Sequence, residues 1–210
     1  MPTPADLGPA STDPASVKPA GTGPQRRKRL RRRLTETVIT LLVAVLVSVL
    51  LRTYAFEVYW IPSGSMVPTL GVYDRILVQK AFFNWHDVRE GEIVVFAHPP
   101  LEQCGGVPAG DLVKRVIALS GQTVYSSGNS IYINGHLLAE PYLPANDPLG
   151  VPIASSSHPY RVPPGEFYVL GDNRADSCDS RYWGPIQGSS IVGQAILDIW
   201  HNSHPELDPL

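Results

Sequence analysis

Residues Pro62 to Leu70 read P-S-G-S-M-V-P-T-L. Prolines and glycine frame Ser65, and these residue types punctuate a chain into turns rather than helix or strand. Gly64 lets the backbone bend tightly and lets another chain come close, while Pro62 and Pro68 stiffen both flanks, which holds the Ser65 hydroxyl in place. An ordinary serine-bearing turn has the same composition, so the meaning of this stretch depends on what surrounds it.

Upstream, Thr37 to Leu51 reads T-V-I-T-L-L-V-A-V-L-V-S-V-L-L, without charge, glycine or proline. A helix from Leu34 to Leu51 would span roughly 27 Å at 1.5 Å per residue, enough for a hydrocarbon core. Tyr54, Tyr59 and Trp60 then suit an interfacial belt. A cleaved signal peptide has an apolar run of similar length. Here, however, no good A-x-A site follows and Arg52 closes the run. Residues 34–52 are therefore predicted to be a transmembrane signal anchor.

Before it, Arg26 to Arg33 packs six arginines and Lys28 into eight residues, behind a stretch rich in proline and small polar residues. Such composition cannot bury enough apolar surface to offset its ordering entropy, so 1–33 is predicted to be a disordered tail. Up to Arg33, eight basic residues face Asp6 and Asp13; beyond it, nine basic residues face seventeen acidic ones. A basic cluster beside an apolar run fits membrane flanking and attraction to anionic lipid better than nucleic-acid binding. The positive-inside rule then places 1–33 in the cytoplasm and Ser65 outside, in a single-pass protein.

Downstream, Arg75 to Val78, Glu92 to Phe96, Leu112 to Leu119, Glu166 to Leu170 and Ile191 to Trp200 are rich in Val, Ile, Leu and aromatics, divided by Gly and Pro clusters. These are strand signals, and no soluble segment shows a 3.6-residue period. Asn134-Gly135 marks a tight hairpin turn. The prediction is a mainly β, antiparallel domain over 53–204, with Tyr142 to Pro164 as a long surface loop and 205–210 as a flexible end. Phe82-Phe83-Asn84-Trp85 could face the interface or the core. There are no repeats, no metal-ligand spacing and no phosphate-binding glycine loop. An external domain permits a disulfide between Cys104 and Cys178; two free thiols are the alternative.

A serine nucleophile needs a base. Beyond the anchor the chain has only Lys80 and Lys114 among lysines. Lys114 lies in an apolar strand, with Leu112 and Val116 on its face. Burial disfavours the ammonium and lowers the lysine pKa, and a desolvated lysine can serve an adjacent serine as base. A lysine snorkelling from an edge strand is the plainer alternative. Arg115 cannot fill the role, because its guanidinium stays charged.

Asp111 to Val116 reads D-L-V-K-R-V, and Gly171 to Gly184 reads G-D-N-R-A-D-S-C-D-S-R-Y-W-G. With the Ser65 box, in this order behind an anchor, they resemble the type I signal peptidases, membrane-bound Ser/Lys proteases that cut signal peptides from exported proteins. The resemblance runs from Arg26 to Trp200. It implies a β-sheet catalytic domain of the signal-peptidase/repressor-protease type, with no cofactor and no metal. It implies Ser65 as nucleophile and Lys114 as general base, with Ser177 orienting the lysine. The Ser63 hydroxyl and the nucleophile's own N–H would form the oxyanion hole. Asp179 and Arg181 match a structural ion pair, and Asp172 and Arg174 would likewise hold the loop. Shallow apolar pockets for A-x-A-like sites would be walled by Ile61, Met66, Leu70, Leu112 and Val113. The implied partners are secretory preproteins, the lipid bilayer and the translocation machinery, at the plasma membrane of a bacterium and without nucleic acid. Competing readings are a self-cleaving repressor-type protease, which the spanning helix disfavours, a processing peptidase of an organelle or conjugation system, and an inactive tethered binding module. A binding module has no need of Ser65, Lys114 and Ser177 together.

Overall fold

A computed structural model of the chain describes residues 24–81, 83–100, 104, 110–201 and 204–210. It falls into two units that meet in sequence at Val47 and Ser48, and each is described by itself. The first is dominated by helix α1, Pro24–Tyr54, whose last residues run into the second unit. The predicted tail at 1–23 lies outside the described residues, whereas 24–33, read from sequence as tail, form the first turns of α1. Arg31–Leu50 is, among the described residues, the stretch long and apolar enough to cross a membrane. Three of its hydroxyls are satisfied locally: those of Thr35, Thr37 and Thr40 donate to the carbonyls of Arg31, Arg33 and Glu36 at 2.8, 2.9 and 2.9 Å. A hydroxyl bonded within its own helix leaves nothing for lipid to desolvate.

The second unit is built on β-strands. The large sheet contains β1 (Phe56–Trp60), β2 (Arg75–Gln79), β3 (Ile93–Phe96), β4 (Leu112–Ala118), β9 (Glu166–Leu170), β10 (Ile186–Gln187), β11 (Ile191–His201) and β12 (His204–Pro209). Its order is β1-β2-β11-β3-β4-β9-β10, with β12 also paired to β11. Every pairing is antiparallel. A smaller sheet runs β7 (His136–Leu137), β6 (Ser130–Ile133), β5 (Thr123–Ser127) and β8 (Tyr160–Arg161). Asn134 and Gly135 carry φ of 52° and 84° at the β6–β7 turn, the left-handed pair that a two-residue hairpin requires.

Strand β3 is buried on both faces, and alternation sends its side chains into two different cores. Val94 and Phe96 join Val116, Phe167, Val169 and Trp183 on one face; Ile93 and Val95 join Ile61, Met66, Leu70, Ile76 and Val78 on the other. A third core unites the small sheet with the ends of β4 and β9 through Ile117, Val124, Ile131 and Leu170. Register breaks in β11 at Ala195/Leu197 and Asp198/Trp200 bend the sheet.

Two sequence expectations change here, and one that the sequence left open is decided. The segment 205–210 is not a loose end: it lies largely in β12, which pairs with β11. The loop Tyr142 to Pro164 contains β8 and buries Leu149, Ile153 and Val162. Of the aromatic patch, Phe82 lies outside the described residues, while Phe83 and Trp85 pack on the core, Trp85 edge-on to Phe167 at 6.2 Å.

Cys104 and Cys178 form a disulfide with Cα atoms 6.1 Å apart, closing a sequence separation of 74 residues. A crosslink over a loop of that length removes about 4 kcal/mol of denatured-state entropy in the chain-entropy account. Reduction is therefore expected to lower the denaturant midpoint markedly. Without reductant the protein should take up no alkylating label; uptake of two labels would show the bond absent in solution.

Candidate active site

Ser65 sits in a single 3₁₀ turn, Gly64–Met66, within a loop closed at its base by two backbone bonds. Ile61 N–H donates to the Asp74 carbonyl at 2.9 Å, and Tyr73 N–H donates to the Ile61 carbonyl at 2.8 Å. Met66 and Leu70 fill the core beneath the loop and fix its height over the sheet. Lys114 stands in the middle of β4, and its Nζ lies 2.6 Å from Ser65 Oγ. The two residues are 49 positions apart in sequence, so only the folded sheet joins them.

Lys114 is 4% exposed. Its face of β4 carries Leu112 and Val116, and its cross-strand neighbour is Val94. Burial pulls the ammonium down to about 8, against the opposing attraction of the Asp179 and Asp172 carboxylates. The amine is thus within reach of its neutral form near physiological pH, where it can accept the Ser65 proton. Ser63 is exposed, and its Oγ lies 3.3 Å from Ser65 Oγ. Ser177 Oγ is buried without a hydrogen-bond partner. The orienting bond from Ser177 to Lys114 is therefore not formed in this structure, although Ser177 and the Ser65 carbonyl both crowd the same side of Gly171.

Charged pairs buttress the site. Asp179 and Arg181 form the expected pair through two contacts, Nη2–Oδ2 at 2.7 Å and Nε–Oδ1 at 2.8 Å, both side chains buried. Asp179 also accepts from Gly171 N–H at 3.1 Å and caps the short helix α2, Ser180–Trp183. The Asp172 and Arg174 side chains hold the loop through other partners than each other, while Arg174 N–H donates to the Asp172 carbonyl at 2.9 Å. Asp172 receives Arg115 at 2.6 and 2.9 Å, with Thr69 Oγ1 at 2.5 Å. Arg174 reaches Glu140 at 2.5 Å and the Gly171 carbonyl at 3.0 Å. The Arg115 guanidinium also covers the Tyr142 ring, 3.8 Å from its centroid.

Among the expected pocket walls, Ile61, Met66 and Leu70 are buried at 3%, 1% and 0% exposure and belong to the core beneath the Ser65 loop. Val113 packs partly against the same core, whereas Leu112, one position earlier on the strand, packs on the opposite face. That leaves Val113 and Leu112 as the half-buried surfaces.

Sequence reasoning missed Asn173, Thr69, Glu140, Tyr142 and Asp74. Asn173 N–H donates to the Ser65 carbonyl and its side-chain amide donates to the Gly64 carbonyl, both at 3.1 Å. His201 reaches Asp74 at 2.7 Å and Asp198 at 3.1 Å and so ties β11 to the end of the Ser65 loop. Asn173 and Thr69 belong to the Gly171–Gly184 and Pro62–Leu70 motifs; the other contacts carry no sequence signal.

The profile of the family described as signal peptidase, peptidase S26, matches residues 34–200. The chain is 38% identical over 179 residues to a protein of Leptolyngbya laminosa named signal peptidase I, covering 84% of this chain and 85% of that one. It is 39% identical over 163 residues to a probable signal peptidase I-1 of Synechocystis sp., covering 77% and 80%. A solved signal peptidase I from Enterococcus faecalis, 29% identical, aligns over 51% of this chain and 96% of that one with a TM-score of 0.41. On the profile match and the two sequence relatives, the chain belongs to the signal peptidase family, peptidase S26.

Proposed function

We propose that this chain removes N-terminal signal peptides from exported preproteins after A-x-A-like sites, with Ser65 as nucleophile and neutral Lys114 as general base. The observation that carries the roles is the 2.6 Å contact between a buried amine and the hydroxyl of a rigid turn. The neutral amine accepts the Ser65 proton as Oγ attacks the scissile carbonyl. The Ser65 N–H and the Ser63 hydroxyl donate to the oxyanion that develops, where pre-placed donors act most strongly. The lysine then returns its proton to the leaving amine, and water repeats the cycle on the acyl-enzyme.

Helix α1 anchors the enzyme in the membrane. Its flanking Arg26 to Arg33 cluster supports a cytoplasmic N-terminus and an extracytoplasmic peptidase domain that extends through β12, at the plasma membrane of a bacterium. That orientation presents the site to preproteins as they emerge, which makes the translocation machinery and anionic lipid its natural neighbours. Small apolar side chains at the substrate positions match the limited half-buried surface of Val113 over the buried Ile61, Met66 and Leu70.

The test is incubation of the full-length chain, in detergent or lipid, with a preprotein bearing an A-x-A site. Mass spectrometry is expected to find one cut directly after the second alanine, and replacing that alanine by a bulky residue is expected to abolish it. Cleavage elsewhere, or indifference to the bulky residue, would contradict the reading.

A further inference from the structure

Oxyanion stabilisation depends on where an N–H points, and nothing in Ser65 itself sets that direction. The donor belongs to the Gly64–Ser65 peptide unit, which is planar, so the carbonyl of Gly64 and the N–H of Ser65 turn together. Among the described residues that N–H donates no hydrogen bond within the chain. The carbonyl at the other end of the plane is held by two donors: the Asn173 side-chain amide at 3.1 Å and Val67 N–H at 3.2 Å. Asn173 N–H also holds the next carbonyl, that of Ser65, at 3.1 Å. One residue thus grips both peptide planes that flank the nucleophile's Cα. Asn173 is itself placed between buried Asp172 and buried Arg174, each fixed by an ion pair.

We infer that Asn173 is a positioning residue for the oxyanion hole: its side-chain amide, by holding the Gly64 carbonyl, aims the Ser65 N–H at the developing oxyanion. It touches neither substrate nor Lys114 in this role, and the inference rests on Ser65 being the nucleophile. The consequence is selective. Loss of the side-chain bond frees one end of a peptide plane, which weakens transition-state binding and leaves substrate binding and the base untouched. Loss of a whole oxyanion donor lowers kcat about 10²–10³-fold, so misaiming one is expected to lower it about 10–100-fold.

The test uses full-length Asn173→Ala and Asn173→Leu, which remove the side-chain donor, add no charge beside Lys114 and keep the backbone N–H to Ser65. With a fluorogenic A-x-A peptide, kcat is expected to fall about 10–100-fold and KM to change by less than about twofold. The pH midpoint of the base should stay where the wild type has it, near the Lys114 value of about 8. Affinity for a peptide aldehyde, whose adduct with Ser65 places an oxygen in the hole, should fall in parallel with kcat; affinity for the matching peptide alcohol should not. An unchanged kcat in either folded variant, an effect confined to KM, or a moved midpoint would overturn the inference. Activity lost only together with cooperative unfolding in both variants would make Asn173 merely structural and overturn it too. A wild type that leaves the A-x-A peptide intact, or a Ser65→Ala chain that cuts it, is a failure of the proposed function and is read before any Asn173 variant.

Discussion

Full-length chains carrying Ser65→Ala or Lys114→Met are expected to lose preprotein cleavage by about ten-thousandfold or more, because nucleophile and base act as one unit and removing either removes both. The two should differ in stability. Lys114 is buried, and its pKa falls from 10.5 to about 8. Below pH 8 both folded and unfolded chains hold the proton, and the folded state bears a buried ammonium. Between about 8 and 10.5 the folded state has released the proton while the unfolded chain keeps it, so wild-type stability rises with pH across that window. A shift of that size corresponds to roughly 3 kcal/mol of native-state cost at pH 7, part of which is offset by the bond to Ser65. Lys114→Met, similar in length and apolar, is thus expected to be more stable than wild type by about 1–3 kcal/mol at pH 7, with the gain shrinking above pH 8. Denaturant unfolding at pH 7 and pH 10 reads this directly. Cleavage by the wild type should rise through about pH 8 and then level off. Retained turnover in Lys114→Met would remove Lys114 as base. Retained turnover in Ser65→Ala would move the nucleophile to Ser63, whose oxygen lies 3.3 Å away.

The strands that build the sheet were legible because their chemistry is local. Glu166–Leu170 appears with the predicted bounds, and β2, β4 and β11 differ from the predicted stretches by one residue at one end. The β-branched and aromatic runs between Gly and Pro clusters carry that information. Strand β1 was not legible: Tyr59 and Trp60 lie a few residues beyond an apolar run and read as an interfacial belt. Strand β12 was hidden for the opposite reason, since H-P-E-L-D-P has almost no strand propensity and is held by the backbone of β11. At the site, Lys114 stood out because the chain has only two lysines beyond the anchor, and Ser65 stood out through the resemblance carried by its motif together with the two downstream ones. The partners of the charges could not be read, because Arg115 and Asp172 lie 57 positions apart and Arg174 and Glu140 lie 34 apart. The sequence places Asp172 and Arg174 in the loop, and the fold brings the side chain of each to a distant partner. Pairing of buried charges is decided by tertiary desolvation, to which residue spacing gives no access.

Gly171→Ala is expected to silence the enzyme without touching a reacting atom. Gly171 follows β9 directly, and no positive φ calls for glycine there; space does. A Cβ at 171 would collide with Ser177 Oγ and the Ser65 carbonyl oxygen and would lie 2.6 Å from Ser177 Cβ. Two of these three atoms belong to a small side chain, but the third is backbone, and it is already held by Asn173 N–H at 3.1 Å. Gly171 cannot retreat easily either, since its N–H is bonded to the buried Asp179 carboxylate and its carbonyl receives Arg174. The strain must therefore be relieved by lifting the nucleophile turn away from β4, where Lys114 stands. Overpacking of this kind costs about 1–3 kcal/mol of stability. A displacement of about 1 Å between nucleophile and base is expected to cost about a hundredfold in kcat/KM. The double variant Gly171→Ala with Ser177→Gly separates the two effects: removing the Ser177 side chain should recover much of the stability, while the clash with the Ser65 carbonyl keeps cleavage low. Wild-type cleavage in Gly171→Ala would mean that the turn bearing Ser65 yields at no cost, and that the tight seat of the nucleophile against β9 has no part in catalysis.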